Sequence, residues 1–175
     1  AGADGHNVAV GHDAGKFITT GVQNTIVGSN AGDALTTGSR NIAIGFAALT
    51  VEDTGGRNIA IGRSALAVLD AGQDGYNVAI GDDAGASMTT GVQNTIIGGL
   101  AGDALTSGSS NIAIGRTALS AETARDGNTA IGFEALKVQD GGTENTTLGF
   151  QTGLAVTTGD QNTLLGTKAG DALTT

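Results

Sequence analysis

Residues able to do chemistry are few in this 175-residue chain, and their spacing does not assemble a catalytic centre. The two histidines are His6 and His12, and the positions seventy residues further on hold Tyr76 and Asp82. The pattern therefore does not require imidazole, and both histidines read as surface side chains. There is no Cys, so a thiol nucleophile and a zinc–thiolate site are excluded. Ser and Asp are present, but no second catalytic partner recurs with them, and no Gly-x-Ser-x-Gly elbow occurs. Glycine-rich phosphate loops work through the N-terminus of a following helix. Here Gly interrupts every short apolar run, so no helix is expected. The chain reads as a non-enzyme without a cofactor.

Calcium is the one metal the acidic residues suggest. Ala-Gly-Asp-Ala-Leu-Thr recurs at Asp33, Asp103 and Asp171, with a faint likeness to calcium-binding nonapeptide repeats, but Gly-Gly-x-Gly-x-Asp is missing. Asp53 and Asp70 hold equivalent positions in adjacent repeats, where two carboxylates could share a cation. They are weak metal candidates, and a solvated acidic turn is the plainer reading. The pairs Thr19-Thr20, Thr36-Thr37, Thr89-Thr90, Thr157-Thr158 and Thr174-Thr175 suggest an ice-binding array, as regular Thr rows on flat solenoids can order water. Asp53, Asp70 and Asp140 interrupt the row, and Gly follows each complete internal pair, which favours a turn.

These residues are carried by a repeat, and the repeat is the main signal. Asn-x-x-x-Gly occurs at Asn7, Asn24, Asn41, Asn58, Asn77, Asn94, Asn111, Asn128, Asn145 and Asn162. Eight of the nine spacings are 17 residues, and Asn58 to Asn77 is 19. Residues 5–45 match 75–115 at 30 of 41 positions, so units group into four-coil blocks starting near 5, 75 and 143. Seventeen residues are too few for a helical-hairpin repeat and suit one coil of a parallel β-solenoid. The expectation is an all-β β-roll of about ten coils spanning 1–175 as a single segment. Each coil is expected to hold two short strands. One follows the Asn, and the other surrounds Ile18, Leu35, Met88, Leu105, Val156 and Leu173.

Composition agrees. Gly numbers 31, Pro and Trp are absent, and only five residues are aromatic. A narrow coil interior filled by small aliphatic side chains needs no more. Hydrophobic residues at 39% argue against disorder. The missing Pro excludes collagen and suits strands, which lose a ladder hydrogen bond to it. No apolar run is long enough to span a membrane as a helix, and residues 1–6 do not resemble a signal peptide. A net charge of −9 disfavours nucleic acid and anionic membrane as partners.

Strand alternation assigns faces. The third residue after each Asn is always branched and aliphatic, from Val10 and Val27 to Leu148 and Leu165, and is expected inside the coil. The second residue then faces outward: Ala9, Ile26, Ala43, Ala60, Ala79, Ile96, Ala113 and Ala130, with Thr147 and Leu164 after them. An apolar stripe outside a solenoid marks an interface, so this row is expected to contact other copies of the chain. The ten Asn residues are expected to form a stacked amide ladder, a structural role. Residues 1–6 look like the tail of a preceding coil and 174–175 stop inside a Thr-Thr-Gly turn, so the segment is expected to be a slice of a longer array.

The units Gly127-Asn128-Thr129-Ala130-Ile131-Gly132 and Ser110-Asn111-Ile112-Ala113-Ile114-Gly115 resemble two groups. One is the YadA-like head of trimeric autotransporter adhesins. The other is the repetitive shaft of bacteriophage tail fibres, which also shares the Thr-Thr-Gly half of the unit and is the nearer likeness. Grass ice-binding proteins share a weaker Asn-x-Val-x-Gly pattern. The resemblance spans the whole chain. It implies a homotrimeric structural or adhesive fibre segment, extracellular on a virion or cell surface. Its partners would be further copies of itself and a host receptor or glycan. Ice binding through a flat Thr/Ala face is the alternative.

Overall fold

The computed structural model describes residues 5–175. Ten three-residue strands follow the ten Asn residues: β1 (Val8–Val10), β2 (Thr25–Val27), β3 (Ile42–Ile44), β4 (Ile59–Ile61), β5 (Val78–Ile80), β6 (Thr95–Ile97), β7 (Ile112–Ile114), β8 (Thr129–Ile131), β9 (Thr146–Leu148) and β10 (Thr163–Leu165). They form one parallel sheet in sequence order. Register follows the repeat, with Ile42 opposite Ile59 and, across the longer spacing, Ala60 opposite Ala79. The chain is a parallel β-solenoid without helix among the described residues. At ~4.8 Å per coil its ten coils stack to roughly 48 Å.

The remainder of each coil is turn, which corrects the expectation of a second strand. Around Ile18, Leu35, Met88, Leu105, Val156 and Leu173 the chain makes turns and bends. Besides the Gly that ends each strand, three positions per coil lie at positive φ: the residue before the Asn, and the sixth and eighth after it, as in Arg40 (61°), Ala47 (53°) and Leu49 (54°). Left-handed residues reverse the chain and break the extended geometry a ladder needs. The inner row itself was read correctly, since Leu35, Met88, Leu105 and Val156 are fully buried.

The strand faces are the reverse of those expected. The second residue after the Asn points inward: Ile26, Ala43, Ala60, Ala79, Ile96, Ala113 and Ala130 are fully buried and belong to the core. Ala9, in the first coil, is exposed. The first and third residues point outward, and Val10, Ile80, Leu148 and Leu165 are exposed. The reason is the Asn. A side chain two residues from another shares its face of a strand, and the Asn side chain must turn inward to satisfy its amide. Asn24 to Asn145 are buried, and each Asn Oδ1 accepts the backbone N–H of the next Asn, as from Asn41 to Asn24 (2.9 Å) and from Asn128 to Asn111 (2.9 Å). The Asn Nδ2 then donates to its own coil's turn, from Asn24 to the Gly38 carbonyl (2.9 Å) and from Asn111 to the Arg125 carbonyl (2.9 Å). The ladder therefore joins coils and also closes each coil except at Asn58, whose Nδ2 has no partner, and at Asn162, whose Nδ2 donates to Asn145.

In seven of the ten coils a large and a small residue exchange between two inner positions. In the other three, with Ala9/Gly15, Ala79/Gly85 and Thr147/Gly153, both are small, and side chains of neighbouring coils such as Ile26, Leu66, Ile96 and Leu136 reach the space. Where the second residue is Ala43, Ala60, Ala113 or Ala130, the eighth is Leu49, Leu66, Leu119 or Leu136. Where it is Ile26, Ile96 or Leu164, the eighth is Gly32, Gly102 or Gly170. The large side chain fills the space above two glycines. A Cβ on Gly85 would lie 3.1 Å from the Ile96 Cδ1, and one on Gly102 would lie 3.3 Å from it. Gly102 (φ 51°) and Leu119 (φ 53°) share a backbone conformation, so size selects Gly there more than φ does. The Gly that ends each strand is different: a Cβ on Gly81 (φ 140°) would sit 2.6 Å from the Gly98 carbonyl.

Candidate functional site: the strand face and the acidic turn

Two features of the rod could do more than hold it together. The first is the outward sheet face. Its first column reads Val8, Thr25, Ile42, Ile59, Val78, Thr95, Ile112, Thr129, Thr146 and Thr163. Its third column is Val, Ile or Leu in every strand. Beside it, Phe46 is 58% exposed, and Phe133 stacks on Phe150 of the next coil at 5.3 Å. A sheet exposing one face normally alternates polar and apolar residues. Here half of the first column is Thr, but the third column is apolar where water would meet it.

The Thr pairs lie off this face, in the turns. Thr36, Thr37 and Gly38 all donate their N–H groups to the Asp53 carbonyl of the next coil (2.8, 3.2 and 3.3 Å). The first hydroxyl of the pair is also used: Thr36 Oγ1 donates to that carbonyl (3.1 Å), and Thr89 Oγ1 donates to the Thr106 carbonyl (3.3 Å). With Ala43, Ala60, Ala113 and Ala130 inside, the Thr and Ala positions do not form one flat surface.

The second feature is the acidic turn between the third and fourth coils. Asp53 and Asp70 do meet, and Glu52 joins them, with carboxylate oxygens of all three within 4.8 Å of one another. Sequence reasoning missed Glu52. The signal was there, because Glu52, Glu122 and Gln139 interrupt an inner row otherwise made of Ile, Leu, Met and Val. Glu52 is fully buried, while Asp53 and Asp70 are exposed. Its Oε1 accepts the Gly55 N–H (2.7 Å), and its Oε2 accepts the Ala71 N–H of the next coil (3.2 Å). Burial, with the Asp70 and Asp53 charges adding to it, holds its carboxyl above the usual range despite these two bonds. Glu122, in the next block, caps its turn the same way. Its Oε1 accepts from Thr123, Ala124 and Arg125 (3.0, 3.2 and 3.0 Å), and its Oε2 accepts from Gly141 (3.3 Å). Both glutamates are turn caps first, replacing the carbonyl that serves the Thr-Thr-Gly turns elsewhere.

The remaining candidates stay apart. His12 extends into solvent with Nδ1 3.6 Å from Asp13 Oδ2, and His6 is exposed at φ 47°. Asp33 and Asp103 are half-buried, each with Oδ1 lacking a hydrogen-bond partner, and Asp171 is exposed. Burial raises the Asp103 carboxyl above its ordinary value, with the Asp83 charge adding to it. Residues 1–4 of the expected preceding-coil tail lie outside the described residues, whereas Gly5 accepts the Gln23 N–H (2.7 Å) as part of the stack. No helix among the described residues is long and apolar enough to cross a membrane. Comparison with known protein families, curated proteins and solved structures finds no match to this chain.

Proposed function

We propose that the chain is a structural, adhesive fibre segment that works as a homotrimer, packing copies of itself through the outward strand face. The observation that carries this is the unbroken Val/Ile/Leu column at the third strand position, from Val10 to Leu165. Ten strands at ~4.8 Å, each about 10 Å long, present roughly 480 Å² of sheet. The exposed Phe46 and Phe150 beside it widen the patch. A standard interface takes about 800 Å² per partner, so the sheet facing a three-fold axis supplies more than half of that area and its flanks must supply the rest. Association covers apolar surface without demanding new polar partners, because the sheet's backbone groups are already paired along the rod.

The function that follows is mechanical. A stack of coils gives reach, and copies side by side give stiffness and several attachment points at once. The setting this implies is extracellular, on a virion or cell surface, with a host receptor or glycan as the further partner. The acidic surface agrees with partners other than nucleic acid. Sedimentation equilibrium at micromolar concentration tests the proposal. The expected mass is three times 17.0 kDa. A double variant with Ile44→Glu and Ile114→Glu should sediment as a monomer and keep its β-rich circular dichroism. A wild-type chain that stays monomeric removes the proposal.

A further inference from the structure

The strand face has two edges, and each carries one side chain per coil. The residue before the Asn lies on one edge and is exposed in every coil, from His6 to Gln161. The residue after the strand-ending Gly lies on the other, where Phe46, Arg63, Asp82, Arg116 and Phe150 are exposed. The strands pair in register, so both edges are straight columns along the rod. The columns differ in chemistry. On the first edge Arg40 donates through Nε to Gln23 (3.0 Å) rather than to a carboxylate, and Tyr76 is 52% exposed. The second edge holds the aromatic rings of Phe46, Phe133 and Phe150.

We propose that these edges join neighbouring copies: the edge before the Asn in one copy lies along the edge after the Gly in the next. This rests on the trimer reading above and names the contact that its flanks make. A three-fold axis along the rod relates copies by rotation without rise, so each coil meets the same coil of its neighbour. Where three sheets face that axis, opposite edges of adjacent sheets come together. Such a contact is heterologous and closes into a ring. The residues paired by this rule fit one another. In the sixth coil Gln93 meets Gly99, in the seventh Ser110 meets Arg116, and in the eighth Gly127 meets Phe133, so a large side chain faces a small one each time. In the third coil Arg40 meets Phe46, 58% exposed, whose ring face attracts a guanidinium. In the fifth, the Tyr76 O–H can donate to the Asp82 carboxylate. The fourth coil sets Arg57 beside Arg63, but each is already paired in its own copy, Arg57 with Asp74 (2.7 Å) and Arg63 with Asp82 (2.8 Å).

Cysteine cross-linking of the full chain tests the pairing, and the chain has no Cys of its own. Ser110 and Arg116 are exposed, so Ser110→Cys and Arg116→Cys do not touch the interior. Within one copy the strand between them, at ~3.3 Å per residue, holds them more than about 10 Å apart. A disulfide spans no more than roughly 7 Å between Cα atoms. Oxidation of the double variant with copper–phenanthroline should therefore give a covalent trimer on a non-reducing gel. Each single variant should stay at the mass of one chain. The pair Ser110→Cys and Phe150→Cys, two coils apart in height (~9.6 Å), should not link. Sedimentation of the reduced double variant separates this pairing from the trimer itself. If the protein is a trimer, but oxidation leaves single chains, stops at dimers or links a single variant to itself, the edge pairing is refuted and the trimer stands. A link in the shifted pair refutes the equal-height register. If the reduced protein is a monomer, the fibre reading fails and the pairing fails with it.

Discussion

Ile96 and Gly102 allow the interior packing to be tested as a pair. Ile96 is fully buried, and its Cδ1 fills the space over both Gly85 and Gly102. Ile96→Ala empties that space and should cost about 2–5 kcal/mol. Gly102→Leu alone places a large side chain where a Cβ would already be 3.3 Å from Ile96 Cδ1. Overpacking should cost about 1–3 kcal/mol, and holding Leu at positive φ about 1 kcal/mol more. The double variant rebuilds in the sixth coil the Ala113/Leu119 arrangement of the seventh, on nearly the same backbone (φ 51° against 53°). The two losses should then fail to add, and the double variant should recover roughly 1–3 kcal/mol relative to their sum. In a chain of this length that is about 2–12 °C in Tm, at about 2–4 °C per kcal/mol. Urea unfolding of the four proteins at one concentration measures the cycle. Additive losses would mean that the second and eighth residues do not share a cavity, and the size-exchange account would be wrong.

Two further outcomes follow from named groups. Asn111→Ala removes the acceptor for the Asn128 N–H and the donor for the Arg125 carbonyl (both 2.9 Å), leaving a buried N–H and a part-buried carbonyl unpaired. The expected loss is about 2–4 kcal/mol, with faster hydrogen exchange at the Asn128 amide; a loss below about 0.5 kcal/mol, on the order of a surface substitution, would deny the ladder its structural role. Asp103→Asn should raise Tm at neutral pH, because the folded chain keeps this carboxyl above its ordinary value. A raised folded pKa means that the folded state binds the proton more tightly than the unfolded one. The deficit is present above the folded pKa, and it fades as pH falls through that value toward the ordinary aspartate pKa of about 3.9. Melting curves from pH 7 to pH 4 should therefore converge for the two proteins; parallel curves would contradict the shift.

The sequence by itself determined the period, the parallel register, the absence of helix among the described residues and the Asn row. These follow from local rules: Asn-x-x-x-Gly at a fixed spacing, β-branched residues between, and Gly too frequent for a helix. Even the inner row at Leu35, Met88 and Leu105 was legible, although turns rather than a strand carry it. What the sequence left open was which strand face is inside. Size argued for Ile44 and Ile114, but the polar requirement of Asn41 and Asn111 prevails and takes Ala43 and Ala113 inward with them. An unsatisfied buried amide costs more than an exposed isoleucine.

Only the tertiary structure decided which side chains fill one another's space. Ile96 reaches Gly85, which belongs to a different coil, and no window along the chain shows a contact between coils. The same holds for Glu52 and Asp70, 18 residues apart in sequence and within 4.8 Å in space. The stacking of coils made them neighbours, and the two-residue insertion set the turn where they meet. Local sequence can place a residue in a turn. Its charge environment comes from the coil stacked above it.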